Sequence, residues 1–279
     1  MLGKLIKYEW KRTSKVGCLL LGAVALITLF GWMAFQTPMW NPDRYGYNSF
    51  GWLDIFGILT LVLYVVMLVA VTYGITIYMG VHFYKTMYTD EGYLLHTLPV
   101  TKHEILGSKV LIDGLWVLIL TVSIYLSVFV LLISMVSAVT PKDYTFFRFL
   151  GEVGGGFNDL FYLLGIDLDQ EMILWVVMAV LTCVLTPFSM VATLFGAVSI
   201  GQLCAKHRVL MAIVSYVGII VGESIVGSLI RSIMTFSGFA SLGDYLGRSL
   251  YSNFWINLLV AIGLYFVSWH VIEHRLNME

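Results

Sequence analysis

Long apolar stretches without charge constrain this chain more than any other feature. Val16–Phe35 and Ile55–Val81 carry no charged residue. Val110–Val139 contains only Asp113, Met172–Leu203 is uncharged, Val209–Ile230 contains only Glu223, and Phe254–His270, the shortest stretch, is again uncharged. About 20 apolar residues in a helix cross the ~30 Å hydrocarbon core of a bilayer. The stretches therefore predict an all-α polytopic membrane protein: six transmembrane helices in a single transmembrane domain covering residues 1–279. Charged residues make up 12% of the chain, about half the ~25% of soluble domains. A fold of 279 residues has too little interior to hide a 59% hydrophobic content from water. A water-soluble enzyme, a disordered chain and a small disulfide scaffold are excluded. Cys18, Cys183 and Cys204 lie in or beside apolar stretches without metal-ligand spacing and read as small packing residues.

Orientation follows from the basic residues. Five precede the first stretch, three lie between the second and third, two between the fourth and fifth, and one in the tail, eleven in all. The alternate connections hold only five. Both termini are expected in the cytoplasm, and the acidic Thr140–Glu171 connection outside. No small-residue cleavage site follows the first stretch in a polar context, so it reads as an uncleaved anchor. Within Met1–Lys15, Leu2, Leu5, Ile6 and Trp10 share one side and Lys4, Lys7, Lys11 and Lys15 surround them. That spacing suits an amphipathic helix in the membrane interface, with lysines reaching toward anionic headgroups.

The most specific local pattern lies between the second and third stretches, in His82–Lys109. Thr89 can cap a short helix whose first turn holds Asp90 and Glu91, favoured there by the helix dipole. Pro99 pushes Leu98 out of helical geometry. Thr101-Lys102-His103-Glu104 is a capping box, with Val100 and Ile105 at the positions of a hydrophobic staple. A second helix is thus expected to start near Lys102 and run into the third span. A short helix, a proline corner and a rigid helix suit the transfer of force from a cytoplasmic partner. A well-capped hairpin without any partner fits the same residues.

Two motifs carry a resemblance. Leu5-Ile6-Lys7-Tyr8-Glu9-Trp10-Lys11 resembles the start of many permease subunits of the type-2 ABC exporter (ABC-2) class. Asp90-Glu91-Gly92-Tyr93-Leu94-Leu95-His96-Thr97-Leu98-Pro99-Val100, with Lys109 closing the loop, resembles the same bacterial permeases. The resemblance implies that the loop holds a coupling helix docking into an ATP-binding subunit. Asp90, Glu91, Gly92, Tyr93, Leu94, Thr97, Leu98 and Pro99 would be its contacts. It implies two copies of that ATPase, a second permease copy or homologue, and a multi-pass place in the bacterial plasma membrane among its lipids. The glycine- and aromatic-rich Ser232–Asn253 would match the family's partly re-entrant element between spans five and six. The outer connection Thr140–Glu171 is longer than the family's usual short turn.

Other patterns fail. No GxxxxGK[ST] occurs, so ATP and magnesium are expected on the partner rather than on this chain, which reads as a non-enzyme. His103-Glu104 begins an HExxH, but Gly107 stands where the second histidine belongs. Asp167, Asp169 and Glu171 lack the turn glycine of a calcium loop and read as capping of the fourth span. Gly154-Gly155-Gly156 reads as a flexible outer turn. No metal and no nucleic-acid partner is expected.

Three residues in the spans remain as candidates for a gate or substrate path. Asp113 lies near the start of its stretch, wetted from the cytoplasm, and reads either as a satisfied helix position or as a coupling group. Glu223 lies fourteen residues beyond Val209, about 21 Å along a helix. It must face a cavity, a partner or a donor, or be protonated. Gly218 and Gly222 nearby give the GxxxG spacing of close helix packing, with Ser215 on the same face. Pro187, after Thr186, frees a carbonyl in mid-membrane and predicts a kink. The function expected is a permease. An ion-gradient-driven secondary transporter or a non-catalytic membrane scaffold are the alternatives; the first would show inverted repeats and intramembrane charges.

Overall fold

The computed structural model describes residues 2–37, 40, 51–89, 91–93, 99–139, 151, 154–156, 171–204, 206–236, 238 and 242–274. Six long helices carry the fold: α1 Leu2–Ala34, α2 Trp52–Tyr88, α3 Lys102–Val139, α4 Glu171–Gly201, α5 Arg208–Phe236 and α6 Leu242–His274. Each overlaps one expected span. All six are long and apolar enough to cross a membrane. Even α5, the shortest at 29 residues, is about 43 Å long, more than the hydrocarbon core requires. The chain is a polytopic membrane protein.

Exposure supports this from another side. Leu59, Ile213, Leu229 and Leu259 are each more than half exposed, and in α5 only Gly227 is buried. Water would penalise such surfaces; lipid does not. Between helices in lipid, close packing and hydrogen bonds replace the hydrophobic drive. Ser108, Ser127, Ser189, Thr193, Ser199 and Ser268 are accordingly among the buried residues.

The helices run further than the apolar stretches, and one expectation changes as a result. The separate interfacial helix at Met1–Lys15 is not formed, because α1 is unbroken from Leu2. Its buried stripe is Glu9, Thr13, Gly17, Val24, Ile27, Gly31 and Ala34, at helical spacing. The face turned inward near the N-terminus is therefore polar, whereas Trp10 is 40% exposed. Ser232–Asn253 is mostly helix: residues 232–236 finish α5 and 242–253 begin α6. Gly247 there lies under Trp175, whose ring would stand 2.6 Å from an added Cβ. The glycine marks a close helix crossing rather than a loop. Residues 154–156 form an exposed helical turn. The remaining expectations for Thr140–Gln170 lie outside the described residues.

The contacts group into two compact units. One comprises residues 13–75 and 118–157. Its centre is the Ser127 hydroxyl, 2.6 Å from Thr28 Oγ1 and 2.8 Å from the Tyr64 hydroxyl. Ile27, Phe35, Tyr64, Leu131 and Ala138 form its apolar cluster. Asp54 accepts a hydrogen bond from the Gly51 amide at 2.9 Å and so caps the start of α2.

The other unit comprises residues 1–12, 76–117 and 158–279. The second half of α4 is its core, every residue from Val191 to Ser199 being buried. Phe195 stacks on Phe83 with ring centroids 3.8 Å apart. Tyr88 donates to the Ser199 hydroxyl at 2.8 Å, and Ser189 donates to the Asn257 carbonyl at 3.1 Å. Gly114 rests against the Phe188 ring, and Gly201 lies against the Ala212 backbone. Pro187 is buried at the entrance to this core, and α4 continues through it. In this unit the start of α1, the α2–α3 connection, the α4–α5 connection and the end of α6 gather at one end.

Candidate functional site

The thirteen residues between α2 and α3 form the turn singled out in the sequence. The Thr89 hydroxyl donates back to the Lys85 carbonyl at 2.5 Å. It finishes α2 and does not cap the next turn, contrary to expectation. The Thr89 carbonyl does start that turn, accepting from the amides of Gly92 at 2.7 Å and Tyr93 at 3.3 Å. Glu91-Gly92-Tyr93 are helical and fold back on the end of α2. The fold-back requires a glycine, since a Cβ on Gly92 would stand 2.6 Å from the Met87 carbonyl oxygen.

The return into α3 follows the expected capping box. The Glu104 amide donates to Thr101 Oγ1 at 3.3 Å and the Thr101 amide donates to Glu104 Oε2 at 3.2 Å. Two free donors at the start of the helix are thereby satisfied. Of the expected contact residues, Gly92 is buried and Glu91, Tyr93 and Pro99 are exposed. Asp90, Leu94, Thr97 and Leu98 lie outside the described residues.

Sequence reasoning placed this hairpin but missed what holds it. Arg12 of α1 donates to Glu91 Oε2 at 2.7 Å. The hydrogen bond and charge of Arg12 hold the Glu91 carboxyl below its ordinary range. Deeper, Lys109 Nζ stands 2.6 Å from Glu9 Oε1, with the two side chains only 1% and 6% exposed. Beside this pair, Trp10 stacks on Trp116 at 5.0 Å. At the far edge Lys102 Nζ donates to the carbonyls of Ile272 and Glu273 at 3.1 and 3.2 Å. A cation on the last carbonyls of α6 also complements the helix dipole. His103 stacks on Trp269 at 4.4 Å, and its Nδ1 lies 3.3 Å from the Tyr265 hydroxyl. The hairpin is thus tied to the start of α1 on one side and the end of α6 on the other.

Asp113 follows Lys109 by one helical turn and is 2% exposed, engaged by neighbouring groups. It is not wetted as its place in the apolar stretch suggested, because α3 starts at Lys102 and carries it about 16 Å into the helix. His82, 7% exposed, stacks on Tyr78 at 5.7 Å. Neither of its ring nitrogens has a hydrogen-bond partner among the described residues. Glu9, His82, Lys109 and Asp113 form a set of buried ionisable groups beneath the hairpin. Asp113 alone was singled out from sequence. Lys109 was readable as its companion, since residues four apart share a helix face.

The other two candidates sit elsewhere. Glu223 is half-buried on α5 and accepts a hydrogen bond from Thr193 of α4 at 3.3 Å. An added Cβ at Gly218 or Gly222 meets nothing within 4 Å, so among the described residues no other helix packs on the expected GxxxG face. Among the described residues no group of three or more His, Cys, Asp or Glu is gathered to hold a metal ion. Comparison with protein-family models, curated proteins and solved structures finds no match to this chain.

Proposed function

We propose that this chain is the membrane-spanning permease subunit of a bacterial ABC exporter of the type-2 class. The hairpin between α2 and α3 receives the motion of a separate ATP-binding subunit. The observation carrying this reading is the hairpin's attachment. A turn that only linked two spans would need no buried ion pair beneath it and no ties to α1 and α6. Force applied to Glu91, Tyr93 and Pro99 is passed to α1 through Arg12 and through Lys109–Glu9, and to α6 through Lys102. In this reading ATP and magnesium bind on two copies of the partner ATPase. A second permease copy or homologue completes the path, and both termini and the hairpin face the cytoplasm.

Affinity purification of the tagged full chain from native membranes tests this. An ATP-binding subunit is expected at one copy per chain, and its absence sinks the proposal. Tyr93→Arg changes an exposed side chain and is expected to reduce that recovery while leaving membrane insertion unchanged. Arg12→Glu or Glu91→Arg alone should lower substrate-stimulated ATP hydrolysis, and the exchanged double variant should restore it.

One observation favours a second reading. Glu9, Lys109 and Asp113 are charged groups buried in membrane-spanning helices, and such groups mark ion pathways in gradient-driven transporters. In that case transport in vesicles would survive without an ATPase and would collapse with an ionophore.

A further inference from the structure

A groove between α2, α4 and α5 is used by neither the hairpin nor its supports. Its volume is about 460 Å³, and its walls include Ile77, Val81, Val198, Val209, Ile213 and Tyr216. A cavity of this size is in the range that holds a small organic molecule or part of an acyl chain. Ile77, Val209 and Ile213 are more than half exposed and Val81 nearly so, so the groove opens on the apolar surface that lipid covers. It lies at the end of the helices, since Val209 is the second residue of α5 and α2 ends at Tyr88.

The charged residues on the segments that build its walls have one sign. Ile77, Val81 and Lys85 follow at four-residue spacing, which carries the α2 wall up to an exposed lysine. Lys206 and His207 are exposed immediately before α5, and Arg208 is its first residue. No acidic residue occurs between Asp54 and Asp90 or between Glu171 and Glu223, the stretches that build all three walls. Of the acids at that end, Glu91 is held by Arg12 and Glu9 by Lys109, and Asp113 is engaged by neighbouring groups. An apolar slot below a basic rim complements an amphiphile with an anionic head. A neutral lipid would fill the slot and leave the rim unmatched; a free phosphate would do the reverse.

We propose that this groove binds an anionic phospholipid of the surrounding bilayer, with an acyl chain between α2 and α5 and its phosphate at Lys85 and Lys206. The assignment does not depend on a transport role. Basic residues near an anionic headgroup favour it by roughly fivefold each.

The test uses the full chain in nanodiscs of phosphatidylglycerol mixed equally with phosphatidylcholine, with retained lipid counted by native mass spectrometry. Wild type is expected to retain phosphatidylglycerol over phosphatidylcholine by on the order of tenfold. Lys85→Gln with Lys206→Gln should abolish that preference. Ile77→Trp with Ile213→Trp should fill the slot and reduce retention of both lipids. A diazirine-bearing phosphatidylglycerol, used on the unaltered protein, should label residues 76–85, 194–198 or 206–216. Equal retention of the two lipids by wild type, unchanged retention in both variants, or labelling confined to other segments overturns the proposal.

Discussion

Lys109 is 1% exposed and sits 2.6 Å from an acid that lies a hundred residues earlier in the chain. Two charges taken out of water cost several kcal/mol each, and the attraction between them offsets that only while both are present. Lys109→Met leaves the Glu9 carboxylate buried without its cation and is expected to destabilise the protein by roughly 3–5 kcal/mol. Glu9→Met combined with Lys109→Met removes both charges and should recover most of that loss. Thermal unfolding of the three proteins in one detergent decides it: a double variant as unstable as the single denies that the pair is the reason. The exposed Arg12–Glu91 pair behaves differently. Its carboxyl titrates below its ordinary value of 4.5, so the pair's contribution is present above that value and is lost as pH falls through the lowered one. Because the Glu91 side chain is 57% exposed, the contribution is about 0–1 kcal/mol. The difference in thermal midpoint between wild type and Arg12→Gln should shrink as pH is lowered from 5 to 3. A difference that stays constant over this range would falsify the pairing. Of these groups, Asp113 was legible because it interrupts an apolar stretch. Glu9 and Arg12 were not, because a polar residue ahead of the first span looks like an ordinary flank until its distant partner is in place.

The elements were legible to the extent that local chemistry sets them. Thr101 and Glu104 are three residues apart and satisfy each other's neighbouring donors, so the start of α3 needed no tertiary information. The start of α6, twelve residues ahead of its apolar stretch, was not legible for a tertiary reason. Gly247 lowers helix propensity by about 1 kcal/mol, and only the Trp175 ring above it explains its presence. The α1 boundary failed similarly, since the change from basic flank to apolar stretch at Val16 alters the surroundings of the helix and not its backbone. Gly92 is where element and motif meet. The resemblance marked it as part of a coupling helix, and the fold-back onto Met87 gives it a physical reason. Gly92→Ala places a Cβ against backbone atoms that cannot rotate away. It should cost about 1–3 kcal/mol or displace the turn. Purified Gly92→Ala is expected to melt lower than wild type, and faster amide exchange should be confined to residues 87–93. An unchanged melting temperature with unchanged exchange would show that the turn yields without cost.

For the whole molecule, the uncharged stretches were enough to reveal six helices, and the basic residues carry the remaining topological information. In the unit built from residues 1–12, 76–117 and 158–279, the start of α1, the hairpin, the α4–α5 connection and the end of α6 share one end. Of the eleven basic residues that favour the cytoplasm, all but Lys15 belong to that unit in the sequence. Connectivity and charge are independent, and both group the same loops together. They differ in what they contribute: connectivity says which loops share a side, and charge says which side that is. Cysteine labelling joins the two. With Cys18, Cys183 and Cys204 replaced by serine, Lys206→Cys is expected to react with a membrane-impermeant maleimide only after the cells are opened. Gly154→Cys, in the connection that follows α3, should react in intact cells. Labelling of both positions in intact cells would place the hairpin and the α4–α5 connection on opposite sides and break the shared end. Labelling of Lys206→Cys alone would keep the shared end but invert it, putting Glu91 and Tyr93 beyond the reach of any cytoplasmic ATPase.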